Sequence, residues 1–199
     1  DQVDKYNDPA SAPWGVVLSN AGQAQANVTI ELNNADPGQP LALQTVTQVS
    51  VAAGSLQKVV LPTRELDCGA KPNDYKAPGT CLSSRAYRIT SSAPIVVYQF
   101  NAFENSFSND ASLLLPTGAL GKYYRVLGWG AGHPVDPINF GILDRSYVTI
   151  VGVEDGTTVT VKPSYKIRGN PPIAATPAGT DLVVTIGKFD VLNLETDDG

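Results

Sequence analysis

The chain has 199 residues and a mass of 21.0 kDa, enough for one large β domain or two small ones with a hydrophobic core. Its net charge is −5, its pI is about 4.7, and its lysines and arginines are scattered singly. Because nucleic acids and anionic lipids attract concentrated positive charge, binding to either is disfavoured. The longest apolar runs, such as 95–97, are too short to cross a bilayer, so we expect no membrane insertion.

Apolar and polar residues alternate along several short segments, beginning with 28–32 and continuing at 87–90, 158–161 and 183–186. Alternation with a period of two is typical of β-strands that bury one face. The run 95–100 is almost entirely apolar, which predicts a central strand covered on both faces. No stretch shows a sustained period of 3.6, so the sequence predicts an all-β, sandwich-type architecture.

Turn-forming residues separate these segments. Asp155-Gly156 is the strongest signal, because a type I′ turn needs positive φ at both central positions. We therefore expect a tight hairpin that joins 147–153 to 157–161.

The order of segments repeats weakly along the chain: 14–20, 27–32 and 48–61 are followed later by 146–153, 157–161 and 181–194. The repeat predicts two related antiparallel β-sandwich-like modules, at 1–127 and 145–199, joined by a Gly/Pro-rich linker at 128–144. The first copy continues into strands at 85–90 and 95–100, and the second has no such continuation. We therefore expect the second module to be incomplete at its C-terminus. Its open β edge after Glu195 would then be covered by a protein partner or by further copies of the chain.

Cys68 and Cys81 are the only cysteines, and the segment between them is rich in turn formers. A structural disulfide is favoured, since closing such a loop contributes about 3 kcal/mol in the chain-entropy model. A redox pair or half of a metal site are the alternatives, although the CxxC spacing is missing. The sequence starts at Asp1 and contains no Met, so we expect a processed chain or a fragment. Together these features favour a secreted or cell-surface protein.

Several enzyme classes lack their residues. The only histidine, His133, precedes Pro134 in the predicted linker, whereas a nucleophile–histidine site needs a rigidly held base. No Gly-x-Ser-x-Gly motif occurs, and zinc is disfavoured with one His and two widely spaced Cys. Nineteen acidic residues leave room for a pair of glycosidase carboxylates, but no pair stands out. We expect a protein that is not an enzyme.

Two short motifs suggest binding or modification. The segment 104–110 supplies the hard oxygen ligands of a candidate Ca²⁺ site, and the candidate metal residues are Glu104, Asn105, Asn109 and Asp110. The alternative, which we favour, is that these side chains satisfy loop backbone groups through Asx turns. Asn27-Val28-Thr29 is a glycosylation sequon, for which a chance match is the alternative. No other cofactor is expected.

A longer pattern runs through Arg85-Ala86-Tyr87-Arg88-Ile89-Thr90, 95–101, 108–116, 119–121 and Tyr124, and resumes at 148–151, 157–161, 177–179 and 191–194. This pattern, from about Trp14 to the end of the chain, resembles the IgGFc-binding protein N-terminal domain family in its bacterial branch. The resemblance implies an extracellular, non-enzymatic β module of a larger secreted or surface protein. No Fc-contacting residue is carried over from it.

The sequence thus favours a non-catalytic extracellular or cell-surface module for adhesion or structural assembly. The alternative is a carbohydrate- or calcium-dependent binding domain, in which a glycan is a further partner. An enzyme of unrecognised type is the third hypothesis.

Overall fold

The structure is a computed structural model that describes residues 13–63, 79–101, 103, 110–128 and 145–197. These residues form twelve β-strands and one 3₁₀ turn at Thr117–Ala119, without an α-helix in the part described. The predicted all-β class is confirmed. The strands are β1 (Gly15–Asn20), β2 (Ala26–Asn33), β3 (Leu43–Val51), β4 (Ser55–Val60), β5 (Cys81–Ser83), β6 (Tyr87–Ser91), β7 (Val96–Phe100), β8 (Ala111–Leu114), β9 (Tyr147–Val151), β10 (Thr157–Val161), β11 (Leu182–Ile186) and β12 (Val191–Glu195).

The strands divide into two compact units whose segments interleave along the chain. Among the described residues, the first unit takes 13–32, 43–63, 87–101, 103 and 110–122, and the second takes 33–42, 79–86, 123–128 and 145–197. The predicted modules, in contrast, were consecutive. The predicted linker, 128–144, lies outside the described residues apart from Gly128, so its boundaries stay a prediction.

The first unit contains a four-stranded antiparallel sheet, in the order β4-β1-β7-β8, and a three-stranded sheet, β3-β2-β6. Its buried core draws side chains from both sheets, so the two sheets pack face to face as a sandwich. Core residues recur at every second position of β1 and of β2, and in β2 this is the alternation that the sequence predicted. The core consists of Val16, Leu18, Val28, Ile30, Val51, Val59 and Leu61.

The second unit contains a three-stranded antiparallel sheet, β5-β12-β9, and a two-stranded sheet, β10-β11. One cluster of buried side chains again draws on both sheets and on the segment between β10 and β11. It consists of Ile167, Ile173, Leu182, Ile186, Leu192 and Leu194.

The two units share a common arrangement of four strands, which agrees with the sequence repeat. β1 pairs with β4 as β9 pairs with β12, and β2 neighbours β3 as β10 neighbours β11. The turns agree as well, since Gly54 and Phe189 occupy aligned positions and have φ of 68° and 66°. Phe189 is the one described residue other than glycine with positive φ, and its backbone N–H and C=O are both bonded, to Gly152 and Ala86. These bonds hold a conformation that side chains otherwise disfavour.

The predicted open edge after Glu195 is not observed. β12 is the central strand of its sheet, with β9 on one side and β5 on the other. β5 comes from the middle of the chain, directly after the predicted disulfide loop. For β12 the expectation was wrong, because sequence order suggested that only strands after Leu194 could complete this sheet. Among the described strands β9 pairs with β12 alone, whereas its counterpart β1 pairs with both β4 and β7, so an incomplete second module stays a prediction.

The predicted hairpin around Asp155-Gly156 is also wrong. β9 pairs with β12, while β10 pairs with β11, so residues 152–156 connect two different sheets. Gly156 has positive φ, whereas Asp155 does not. The carboxylate of Asp155 instead accepts a hydrogen bond from the backbone N–H of Lys188 at 3.0 Å. A contact that is distant in sequence therefore determines this turn.

Candidate functional site

The solvent side of the four-stranded sheet in the first unit is apolar. Strand register places its outward side chains in three cross-strand rows, which we call the outer face. The rows are Val60, Gly15, Phe100 and Ala111; Lys58, Val17, Tyr98 and Leu113; and Leu56, Ser19 and Val96. Lys58 is the only charged residue in these rows.

The opposite solvent side of the same sandwich has an ordinary polar surface. Glu31 on β2 and Arg88 on β6 form a salt bridge of 2.9 Å. Thr29 lies opposite Thr90, and Asn27 accepts a hydrogen bond from the Ser50 hydroxyl. Antiparallel sandwiches normally present such polar side chains to water. The outer face of the four-stranded sheet is therefore the exception within this unit.

Exposure shows that the residues described by the structure leave the outer face open to solvent. Leu56, Val60, Val96, Tyr98 and Leu113 are each between 40 and 68% exposed. The run 95–100 was predicted to form a central strand covered on both faces. β7 does lie between β1 and β8, but its outward side chains Val96 and Tyr98 are exposed, so the prediction of two covered faces was wrong.

One aromatic group borders the outer face. The Phe103 ring stacks on Phe100 with 5.3 Å between ring centroids, and the Lys58 ammonium lies 4.2 Å from the Phe103 centroid. The Phe103 backbone N–H donates to the Pro13 carbonyl at 2.7 Å. The cation–π contact holds the single charge of the outer face against an aromatic ring. The remainder of the face thus consists of neutral side chains.

In the second unit, polar side chains fix the segment that enters β5. The Asn193 amide donates to the Gly79 carbonyl at 2.6 Å, and the Asn170 amide donates to the Thr80 carbonyl at 2.9 Å. The Glu195 backbone N–H donates to the Thr80 hydroxyl at 3.0 Å. Asn193, Glu195 and Thr80 are all almost fully buried. Because buried polar groups need partners, these bonds specify where β5 sits.

Cys81 opens β5 and is buried. The described part of the chain has no free cysteine. Cys68 lies outside the described residues, so its pairing with Cys81 stays a prediction. The placement gives the predicted crosslink a structural role, because it would constrain the strand that completes the second unit's sheet.

Charged residues gather at the end of β12. Arg168 contacts the buried Glu195 at 2.8 Å, and Lys166, Arg145 and Arg168 surround Asp197. The hydrogen bond from the Lys166 ammonium holds the pKa of the Asp197 carboxyl below its ordinary value of 3.8, and the charges of the three cations act in the same direction. The cluster joins segments of the second unit to each other and contains no nucleophile–base pair.

The remaining predicted site residues are only partly described. Glu104, Asn105 and Asn109 lie outside the described residues. Asp110 is exposed and its carbonyl accepts a hydrogen bond from the Asn101 N–H. Calcium binding by this loop therefore stays a prediction. Asn27 is exposed on β2, so its position is compatible with the predicted glycosylation, which also stays a prediction.

Within the described ranges, no three His, Cys, Asp or Glu side chains come together as a metal site. The same ranges include no helix long and apolar enough to span a membrane.

One family comparison is informative. The sequence model of the family described as IgGFc binding protein matches residues 110–199. The match confirms the predicted resemblance for this part of the chain and leaves its bacterial branch a prediction. Of the block 85–121, residues 110–121 fall inside the match. No curated protein and no solved structure matches the chain.

Proposed function

Because residues 110–199 match the IgGFc binding protein family, whose name describes a binding protein rather than an enzyme, we propose that this chain is a non-catalytic protein-binding module. It acts outside the cell or at the cell surface, in adhesion or structural assembly. The observation that carries the proposal is the apolar outer face of the four-stranded sheet. A large exposed apolar patch on a folded protein marks an interaction surface.

The chemistry of the outer face favours a protein partner. Leu56, Val60, Val96, Tyr98 and Leu113 offer aliphatic and aromatic contact area, with Lys58 at one edge. Protein interfaces combine such an apolar centre with a polar rim. A glycan site would instead be expected to present several hydrogen-bonding side chains, and among the rows these are limited to Ser19, Lys58 and the Tyr98 hydroxyl. We therefore place glycan binding second.

Two purified protein probes test the proposal: the chain itself and an IgG Fc fragment, which the family description names. Each is applied to the immobilised wild-type chain and to the variants Tyr98→Lys and Leu113→Lys. We expect at least one probe to bind the wild type. Each variant should weaken that binding by about tenfold or more, because a charge would have to be desolvated in an apolar contact.

Thr45→Lys is the matched control, because Thr45 is an exposed residue of β3, in the other sheet of the same unit. It adds the same charge and should leave binding unchanged. The proposal fails if neither probe binds the wild type. It also fails if Tyr98→Lys and Leu113→Lys bind as tightly as Thr45→Lys.

A further inference from the structure

We infer that the outer face is a homodimer interface, in which the four-stranded sheets of two copies of this chain pack face to face. The inference rests on the proposed function and names its partner. It concerns the face whose members are Gly15, Val17, Ser19, Leu56, Lys58, Val60, Val96, Tyr98, Phe100, Ala111 and Leu113.

The internal repeat shows what the equivalent surface looks like when it is covered. Leu56, Lys58 and Val60 of β4 align with Val191, Asn193 and Glu195 of β12. All five residues of β12 are buried, including those three, so both faces of that strand are covered. In β4, by contrast, Leu56 and Val60 are 68 and 54% exposed. The aligned side of β12 is therefore covered and that of β4 is bare, although Tyr147 and Val151 of β9, on the same side of the second unit's sheet, are exposed.

The area of the outer face matches what a stable interface requires. Its five exposed apolar side chains together present at most on the order of 500 Å², taking for each the roughly 200 Å² of an aromatic side chain, which is larger than Leu or Val. One partner of a standard interface buries about 800 Å², a little over half of it apolar, which is about 450 Å². The outer face thus supplies the apolar area of one side of a stable complex.

Charge permits a second copy as the occupant. The chain has a net charge of −5, so two copies repel each other over most of their surfaces. β1, β4, β7 and β8 contain no Asp or Glu. The one charge on the outer face is the Lys58 ammonium, which lies against Phe103. Contact between two copies through these strands therefore brings no carboxylates of the strands together, a property that β3, β9, β10 and β11 share.

The geometry of a sheet also permits the pairing. A twofold axis brings the same surface patch of each copy together, so a patch must be complementary to itself. Neutral aliphatic and aromatic side chains meet that condition without matched charges. Two packed sheets lie about 10 Å apart, with their inner side chains interdigitated. Each copy would then contribute Val96, Tyr98 and Leu113 to one shared apolar layer.

Sedimentation velocity on the full chain tests the inference over roughly a hundredfold range of concentration. We expect a monomer–dimer equilibrium for the wild type and for Thr45→Lys. Tyr98→Lys and Leu113→Lys should each raise the dimer dissociation constant at least tenfold, about the effect expected for a charge in a desolvated contact. The two positions lie on different strands. Circular dichroism identifies a variant that fails to fold, and the variant that does fold then tests the interface.

A salt series separates apolar from ionic association. The dimer should persist or strengthen in molar sodium sulfate, since apolar burial is favoured there and ionic attraction is screened. A wild type that stays monomeric at every concentration overturns the inference, as does a dimer that both face variants leave intact. If the wild type is monomeric while Fc binding depends on Tyr98 and Leu113, the proposed function stands, and the inference that the partner is a second copy of the chain is wrong.

Discussion

Asn193 and Gly79 are 114 residues apart in the sequence, and the Asn193 side chain donates a 2.6 Å hydrogen bond to the Gly79 carbonyl. The same amide group accepts a hydrogen bond from the Thr149 hydroxyl at 2.7 Å. Asn193 thus connects β9, β12 and the residues that lead into β5. The middle of the chain thereby completes a sheet whose other two strands lie near its C-terminus.

Replacing Asn193 with Ala should destabilise the second unit. The change leaves the partly buried Gly79 carbonyl without its side-chain partner, whereas the exposed Thr149 hydroxyl can still bond water. Such a loss costs about 1–3 kcal/mol. The measurement is the urea midpoint with the slope of the transition, and Asn27→Ala on the exposed side of β2 is the control, expected to stay within about 0.5 kcal/mol of the wild type. Equal midpoints for Asn193→Ala and the wild type would show that this bond does not anchor β5.

Gly152 marks the point where the chain leaves β9 for the second sheet of its unit. A Cβ at this position would lie 2.0 Å from the Gly187 carbonyl oxygen, a backbone atom that cannot move aside easily. We expect Gly152→Ala to lower the thermal midpoint by several degrees or to abolish folding, since strain of a few kcal/mol is large against the stability of a domain.

Gly118 provides the control for that substitution. A Cβ there would meet nothing within 4 Å, and its φ is not positive. Gly118→Ala should therefore melt like the wild type. If Gly152→Ala had the same thermal midpoint as Gly118→Ala, that result would contradict the close approach between residues 152 and 187.

Cys68 and Cys81 should be joined in the purified protein. Mass spectra of the intact chain before and after reduction should differ by about two daltons, the two hydrogens added when one disulfide is reduced. Reduction should also lower the free energy of unfolding by about 3 kcal/mol, because the loop is no longer closed in the unfolded state. Identical masses would rule the crosslink out. A mass change without a loss of stability would show that the crosslink does not support β5.

The ion cluster around Asp197 predicts a dependence of stability on pH. The folded-state pKa of this carboxyl is lowered from 3.8, mainly by the hydrogen bond from Lys166. A lowered pKa contributes stability that is present above pH 3.8 and is lost as the pH falls through the lower folded value. The stability difference between the wild type and Asp197→Asn should therefore shrink with acidification below pH 3.8. The stability difference between the wild type and Lys166→Met should depend on pH in a similar way. If neither stability difference changes with pH, this explanation is excluded.

Much of the fold could be predicted from the sequence, because local alternation reports strands directly. The alternation at 28–32 and 158–161 corresponds to β2 and β10, and the aligned turns at Gly54 and Phe189 confirm the repeat. Strand pairing was harder to predict. Asp155-Gly156 has the composition of a hairpin, but the pairing of Gly152 with Asp190 decides where the chain turns. The position of β5 depends on buried polar bonds to residues 90 or more apart in sequence.

The candidate site was missed for a related reason. An apolar run such as 95–100 has the same sequence signature whether its second face is buried or bare, because periodicity reports only which residues are apolar. One available signal was the sequence of β4. Leu56, Lys58 and Val60 are two residues apart and so lie on one side of the strand, while the core residue Val59 lies on the other side. When two strands of one sheet carry apolar residues on both of their sides, the solvent side of the sheet is apolar as well. This inference requires the register of the sheet, because the register decides which residues lie next to each other.

Hydroxyl-radical footprinting of Tyr98 tests most directly whether the outer face is a binding surface. Labelling is compared between the dilute chain and the chain that is either concentrated or saturated with Fc fragment. Tyr165, which is 54% exposed in the second unit, serves as the internal reference. We expect Tyr98 and Leu113 to be protected in the bound state, while Tyr165 is labelled equally in both. Unchanged labelling of Tyr98 in a sample shown to be associated would contradict the account, because the contact would then lie elsewhere.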